Sequence, residues 1–338
     1  MKKVLSVALA LVMCLGLFSA CSQDESQSQS QSQAEVGVTF AIAGLKGPTT
    51  MGMVKLMDDA EKNNADIAYT GNKYNVSMYG TANEVMPLLI QGQLDVAALP
   101  ANVAATLYRK TEGEVQIAAV NTLGVLYMVQ TGDSVQSIAD LKGKTIYTTG
   151  KGTTPEYTLR YILQENGIDP DKDVTIEYKS EATEVGSLLA AADGDMIAML
   201  PQPYVTAVMA QNENVKIALD MTEEWSKVSD EDLVTGVLVA RKSFIEENKA
   251  AFDKFLEDYA ASTQYVNENV EAAAELVAKY EIIAKRPLAQ KAIPMCNITY
   301  VSGQEMKDMV NSYLNVLFER NPESVGGNVP DEAFYYMG

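Results

Sequence analysis

Two pairs of threonines stand where the chain changes from a strand-like to a helix-like pattern. Thr49 and Thr50 follow Gly47-Pro48, and Thr153 and Thr154 lie between Gly152 and Pro155. Backbone N–H groups are free at a helix start, so hydroxyls placed there suit an anion or a carbonyl-type acceptor. The same hydroxyls also suit plain N-caps. Equivalent strand-to-helix loops carry Lys46, Thr81, Asn83, Glu84, Asn102, Gln202 and Tyr204. Asn121 and Thr122 follow an apolar run at 115–120. Trp225, the only tryptophan, offers a flat face to close over a planar ligand or to pack in a core. Together these residues are the candidate binding set.

Histidine is absent from all 338 residues. That removes the commonest metal ligand and the commonest general base near neutral pH. Ser-His-Asp, Cys-His and His-zinc schemes are closed, and no catalytic set, metal site or cofactor is expected. Lys+Arg 26 against Asp+Glu 45 leaves a net charge of −19, which repels phosphate backbones, so nucleic acid is not an expected partner. The candidate loops hold no arginine, the fork-shaped side chain that best grips a sulfonate or carboxylate; Lys46 and Lys151 are their cations. Glu84, Glu156 and Glu184 are placed to accept from an amine or aminopyrimidine. An anion and a nitrogenous ligand both stay open.

The elements that must position these residues alternate short β-type runs with helical patterns, the mark of βαβ units in a largely parallel sheet. Strands are expected at 38–43, 76–79, 95–99 and 235–240, with 44–50 as an exit loop and helices over 84–91 and from Asn102. The unit then repeats. Residues 81–89 (TANEVMPLL) match 181–189 (EATEVGSLL), and 95–100 (DVAALP) match 195–201 (DMIAMLP). Two copies imply two similar α/β lobes. Ligands of open parallel sheets sit outside the carboxyl ends of the strands, which points to loops 46–51, 81–84 and 100–102 in one lobe and 152–156, 182–184 and 201–204 in the other. Asp95 and Asp195 recur in both copies but start strands, where a turn-forming aspartate suffices. Ser243 and Ser302, each followed by glutamate at the third place, read as capping boxes opening C-terminal helices.

The N-terminus carries an address. Lys2 and Lys3 precede an apolar run at 4–18 that is too short to span a bilayer as a helix. It ends in Ser19-Ala20-Cys21, similar to the lipobox at which bacterial lipoproteins are cut and acylated, with Phe18 in place of the usual leucine. Residues 22–33 alternate serine and glutamine, a composition that suits a flexible tether. On this reading Cys21 is the lipidation site, the protein is extracytoplasmic and lipid-anchored to a bacterial membrane, and Cys296 is the one remaining thiol, so no internal disulfide forms.

With these residues in hand, the chain resembles the extracytoplasmic solute-binding proteins of ABC importers, in the nitrate, sulfonate, taurine and thiamine-precursor group. The resemblance covers residues 36–338. It rests on the lipobox and tether and on 44–52 (GLKGPTTMG), 92–100 (GQLDVAALP) and 138–146 (IADLKGKTI), in that order. It implies a two-lobed α/β fold of the periplasmic-binding-protein type (type II), with the ligand in a cleft between lobes and two crossover strands near 124–129 and 235–240. The implied division is 1–21 signal, 22–35 tether, 36–128 first lobe, 129–235 second lobe and 236–338 first lobe again. The implied partners are a small solute and an ABC permease with its ATPase, the protein acting as a monomer. The implied role is capture of a sulfonate-, taurine- or nitrate-type anion, or alternatively of an aminopyrimidine thiamine precursor. A surface sensor on the same fold is a rival. Pyrimidine-synthesising enzymes of shared ancestry use histidine and a cysteine-rich motif, and this chain has neither, so catalysis is not expected.

Overall fold

A computed structural model describes residues 37–66 and 68–338. The expected signal, the Cys21 lipidation site and the tether lie outside the described residues. Among those described, the strands in chain order are β1 (Thr39–Leu45), β2 (Lys73–Tyr79), β3 (Val96–Pro100), β4 (Val115–Thr122), β5 (Leu126–Gln130), β6 (Thr145–Thr148), β7 (Thr175–Tyr178), β8 (Ile197–Pro201), β9 (Lys216–Asp220), β10 (Gly236–Arg241) and β11 (Ile298–Val301).

They form two sheets, β11-β4-β10-β3-β1-β2 and β7-β6-β8-β5-β9. In each, two βαβ units lay three strands parallel: β2, β1 and β3 in the first, and β7, β6 and β8 in the second. Antiparallel pairings then extend each sheet, from β3 to β10 to β4 in the first and from β8 to β5 to β9 in the second. The fold is therefore a two-lobed α/β architecture of the expected class, and the internal repeat corresponds to helices Ala82–Ile90 and Ala182–Ala190 at equivalent places. Central strands β3 and β10 are buried along nearly their whole length, as expected when helices cover both faces. Phe40, Phe252, Phe255 and Tyr259 pack helix Lys249–Glu268 onto one face of the first sheet. Met306, Val310, Tyr313 and Leu317 of helix Gly303–Arg320 are buried in the large core on the other side.

Local expectations shift in several places. β1 starts and ends later than 38–43, and the exit loop contains a short helix, Pro48–Met51. Chain crossing occurs at 123–125, between β4 in one sheet and β5 in the other, three residues ahead of the expected boundary. The return passes through 227–235. The chain re-enters the first sheet as β10, where pairing with both β3 and β4 satisfies its backbone on two sides. The capping box at Ser243 does not form. Arg241 is held by Asp95 (2.7 Å) and by the carbonyl of Leu94 (2.9 Å), so helix Lys242–Glu247 begins directly from the strand, and Ser243 Oγ accepts from the Arg241 guanidinium (3.0 Å). Ser302 is an N-cap but its hydroxyl makes no capping hydrogen bond. Asp95 also accepts from the Ala41 N–H (2.8 Å), the structural role expected of it.

Candidate functional site

The carboxyl ends of the parallel strands of both sheets open onto one cavity of about 840 Å³. From the first lobe it receives the loops after β1, β2 and β3 and the end of β4. From the second it receives the loops after β6, β7 and β8 and the start of β5. Of the candidate set, Lys46, Thr49, Thr81, Glu84, Thr122, Thr153, Thr154 and Tyr204 line it.

Thr49 carries the clearest binding signal. It is 8% exposed, lines the cavity, and its hydroxyl has no hydrogen-bond partner. Thr235, at the end of the return crossing, is a second lining residue with an unpartnered buried hydroxyl. Unpaired buried hydroxyls cost stability, which sets both apart from the other threonines of the lining. Their placement has identifiable causes. Asn121 donates from Nδ2 to the carbonyl of Thr49 (3.3 Å), pinning the loop to the end of β4. Gly236 leaves room for the same contact: a Cβ there would lie 2.5 Å from Asn121 Oδ1 and 2.6 Å from Thr49 Cγ2.

The remaining candidates are turned to structural use. Thr50 is fully buried and donates its hydroxyl to the Leu45 carbonyl. Asn83 is exposed and outside the cavity. Asn102, 1% exposed, bridges the lobes: its amide donates to Ser324 O (3.1 Å) and Gly152 O (3.3 Å), and its Oδ1 accepts from the Thr154 hydroxyl (3.3 Å). Gln202 is buried and accepts from the Thr206 hydroxyl (2.8 Å). Trp225 does not close over the cavity. It is buried against Tyr161 and Tyr313, and its indole N–H donates to the Glu231 carbonyl (2.6 Å). An indole that finds both an apolar bed and an N–H acceptor in the core has no reason to face solvent.

The expected carboxylate acceptors are also engaged. Glu84 accepts from Thr81 N and Oγ1 in a capping box (2.8 and 2.9 Å), Glu156 from Gly152 N (2.6 Å) and Glu184 from Ser180 N (3.2 Å). Each folds back over the start of its own helix, where the dipole favours an anion. Lys151 stands over the Tyr178 ring and outside the cavity, leaving Lys46 as the lining cation. Glu181 and Glu281 line the cavity too, and both Glu84 and Glu181 carboxylates come within 4.0 Å of the position a Cβ on Gly80 would take. Helix Thr154–Glu165 has Thr153 as its N-cap with no side-chain cap bond, so its first turn faces the cavity with N–H groups no side chain has claimed. Among the described residues no three His, Cys, Asp or Glu gather as a metal would require.

Sequence reasoning missed Met78, Tyr79, Thr149, Gly150, Ser180 and the segment around Glu281, Ile282 and Ala284. Most are next to strand ends already singled out. The 281–284 segment is not, because it reaches the cavity by tertiary packing after helix Val270–Lys279 and carries no local motif.

A sequence profile described as "NMT1/THI5 like" matches residues 75–273. A Brucella abortus protein described as a candidate binding protein is 25% identical over 186 residues, which make up 55% of this chain and 56% of that one; the match thus spans about half the length of its curated relative. Among solved structures, an ABC transporter protein from Parabacteroides distasonis superposes with a TM-score of 0.71 at 24% identity, over 89% of this chain and 99% of that one. The periplasmic aliphatic sulphonate-binding protein SsuA from Escherichia coli gives 0.69 at 16% identity, over 88% and 92%.

Proposed function

Since the chain belongs to the NMT1/THI5-like family, we propose that it is the solute-binding component of an ABC importer. It holds a small organic solute in the cleft between its lobes and hands it to a permease and ATPase complex. The observation that carries this reading is the cavity fed by strand ends of both sheets, with Thr49 and Thr235, whose buried hydroxyls have no partner, on its lining. Lys46, the uncapped first turn at Thr154 and the unpartnered hydroxyls of Thr49 and Thr235 suit a sulfonate-type anion. A second reading, a nitrogenous ring, is favoured by Glu181 and Glu281 on the lining. The binding set on this proposal is Lys46, Thr49, Thr81, Thr122, Thr153, Thr154, Tyr204 and Thr235. The role is capture rather than catalysis, carried out by a monomer anchored through lipid on Cys21 outside the cell membrane, with residues 22–35 as its tether.

Native mass spectrometry of the purified protein, before and after denaturation and refolding, tests the reading. A small mass lost on unfolding is expected. Adding that solute back at a hundredfold excess over its Kd should stabilise the fold by about 2.7 kcal/mol. A bare protein that no sulfonate, nitrate, taurine or aminopyrimidine stabilises would sink the receptor role.

A further inference from the structure

The two chain crossings form part of the cleft floor, since Thr122, Val125 and Thr235 line it. Hydrogen bonds fix where each crossing can bend. On the outward crossing, Leu123 N donates to Asn297 O (3.1 Å) and the Asn297 amide donates to Gly124 O, both ties to the first lobe, whereas Val125 O accepts from Gln202 N (2.9 Å) of the second. On the return crossing, Val228 O accepts from the Tyr161 hydroxyl (3.1 Å) and Glu231 O from the Trp225 indole N–H (2.6 Å), both ties to the second lobe, whereas Thr235 N donates to Thr122 O (3.0 Å) of the first. The links left between these ties are the Gly124–Val125 step and residues 232–234. They define an axis beneath the cleft.

A crevice of about 180 Å³ lies on the other side of that axis. Helix Thr154–Glu165 runs past all three places: its Thr154 lines the cleft, its Tyr161 touches the return crossing, and its Gln164, roughly 15 Å from Thr154 along the helix, lines the crevice. The opposite wall is Leu317, Arg320 and Asn321, at the end of helix Gly303–Arg320 of the first lobe, and no residue of the crevice also lines the cleft. Arg320 spans the gap. Its guanidinium pairs with Glu165 and lies over the Tyr161 ring, 5.8 Å from the centroid.

We infer that Arg320 is a latch behind the hinge, which opposes closure of the cleft and so sets solute affinity without touching the solute. Lobes that turn about the crossings widen the crevice as they narrow the cleft, and widening it parts Arg320 from Glu165. The latch rests on the receptor reading above for its purpose and on geometry alone for its existence. Holding molecules in the open state lowers the apparent affinity by the fraction left free to close. The paired side chains are 49% and 25% exposed, so the effect is the two- to fivefold that a surface ion pair can set.

Two variants act on the crevice from opposite walls. Arg320→Ala releases the latch, and Gln164→Trp, at an exposed position, wedges the crevice apart. Small-angle scattering of solute-free protein, stripped by unfolding and refolding, should give both variants a smaller radius of gyration than the wild type. The solute released on unfolding, added back, should bind both about two- to fivefold more tightly. A radius equal to or larger than that of the wild type in either folded variant, or an affinity unchanged in both, would overturn the latch and leave the receptor role standing. If no solute is carried over, the radii decide alone: smaller radii in both variants support the latch even where the receptor role fails.

Discussion

Thr49 lines the cavity and has a buried hydroxyl for which the folded protein supplies no partner; on the receptor reading a solute atom supplies it. Thr49→Val keeps the shape and removes the unsatisfied group. The free variant should melt at the same temperature as the wild type or slightly above it, while solute affinity falls about tenfold, the worth of one hydrogen bond. An affinity unchanged by titration would remove Thr49 from the site. That a threonine pair lay near the cavity was legible from Gly47-Pro48-Thr49-Thr50. Which member faces inward was not, because Thr50 is diverted by the Leu45 carbonyl and the space above Gly44. Asn102, Gln202 and Trp225 do not line the cavity, for one shared reason. A polar or aromatic side chain beside a strand end looks the same in sequence whether its partner is a ligand or another part of the fold, and here the partners are distant Ser324 for Asn102 and nearby Thr206 and Glu231 for Gln202 and Trp225.

Elements formed by local pattern were read well, and elements placed by distant contacts were not. The repeated helices Ala82–Ile90 and Ala182–Ala190 follow from their matching sequences, and strand ends followed by helix starts located most of the cleft. The 281–284 wall depends on how helix Val270–Lys279 docks. Lys279 joins it to helix Val54–Ala65 through Asp58 (2.8 Å) and Glu61 (2.7 Å). Hydrogen bonds from Lys279 and then Lys62 hold the Asp58 carboxyl below its ordinary 3.8. A carboxyl with a depressed folded pKa stabilises the fold above its unfolded value, and that contribution is lost as pH falls through the folded one. Asp58→Asn should therefore lower Tm at pH 7 by a few degrees at most, and the gap to the wild type should close below pH 3.8. Thermal melts of both proteins from pH 2 to 7 check this; a gap of constant size would mean that the ion pair does not join the two helices.

At the scale of the whole molecule, two lobes were foreseeable from the repeat, but the contacts that brace them were not. Asn102 ties Gly152 and Thr154 of the second lobe to Ser324 of the first, and Arg320 pairs with Glu165 farther out. Asn102→Ala leaves buried groups without partners, at about 1–3 kcal/mol, and it frees one side of the cleft. Small-angle scattering should give the solute-free variant a larger radius of gyration than the wild type, while an identical radius would show that Asn102 does not brace the lobes. The placement of β10 has a consequence in time. It fills the slot between β3 and β4, yet residues 123–235 are made between those strands and it. A chain growing from its N-terminus can therefore complete the second lobe's sheet while the first still shows two bare strand edges side by side, open to any stray strand nearby. The lobe begun first is finished last, and the half-made protein is most exposed to misassembly just before residue 236 arrives.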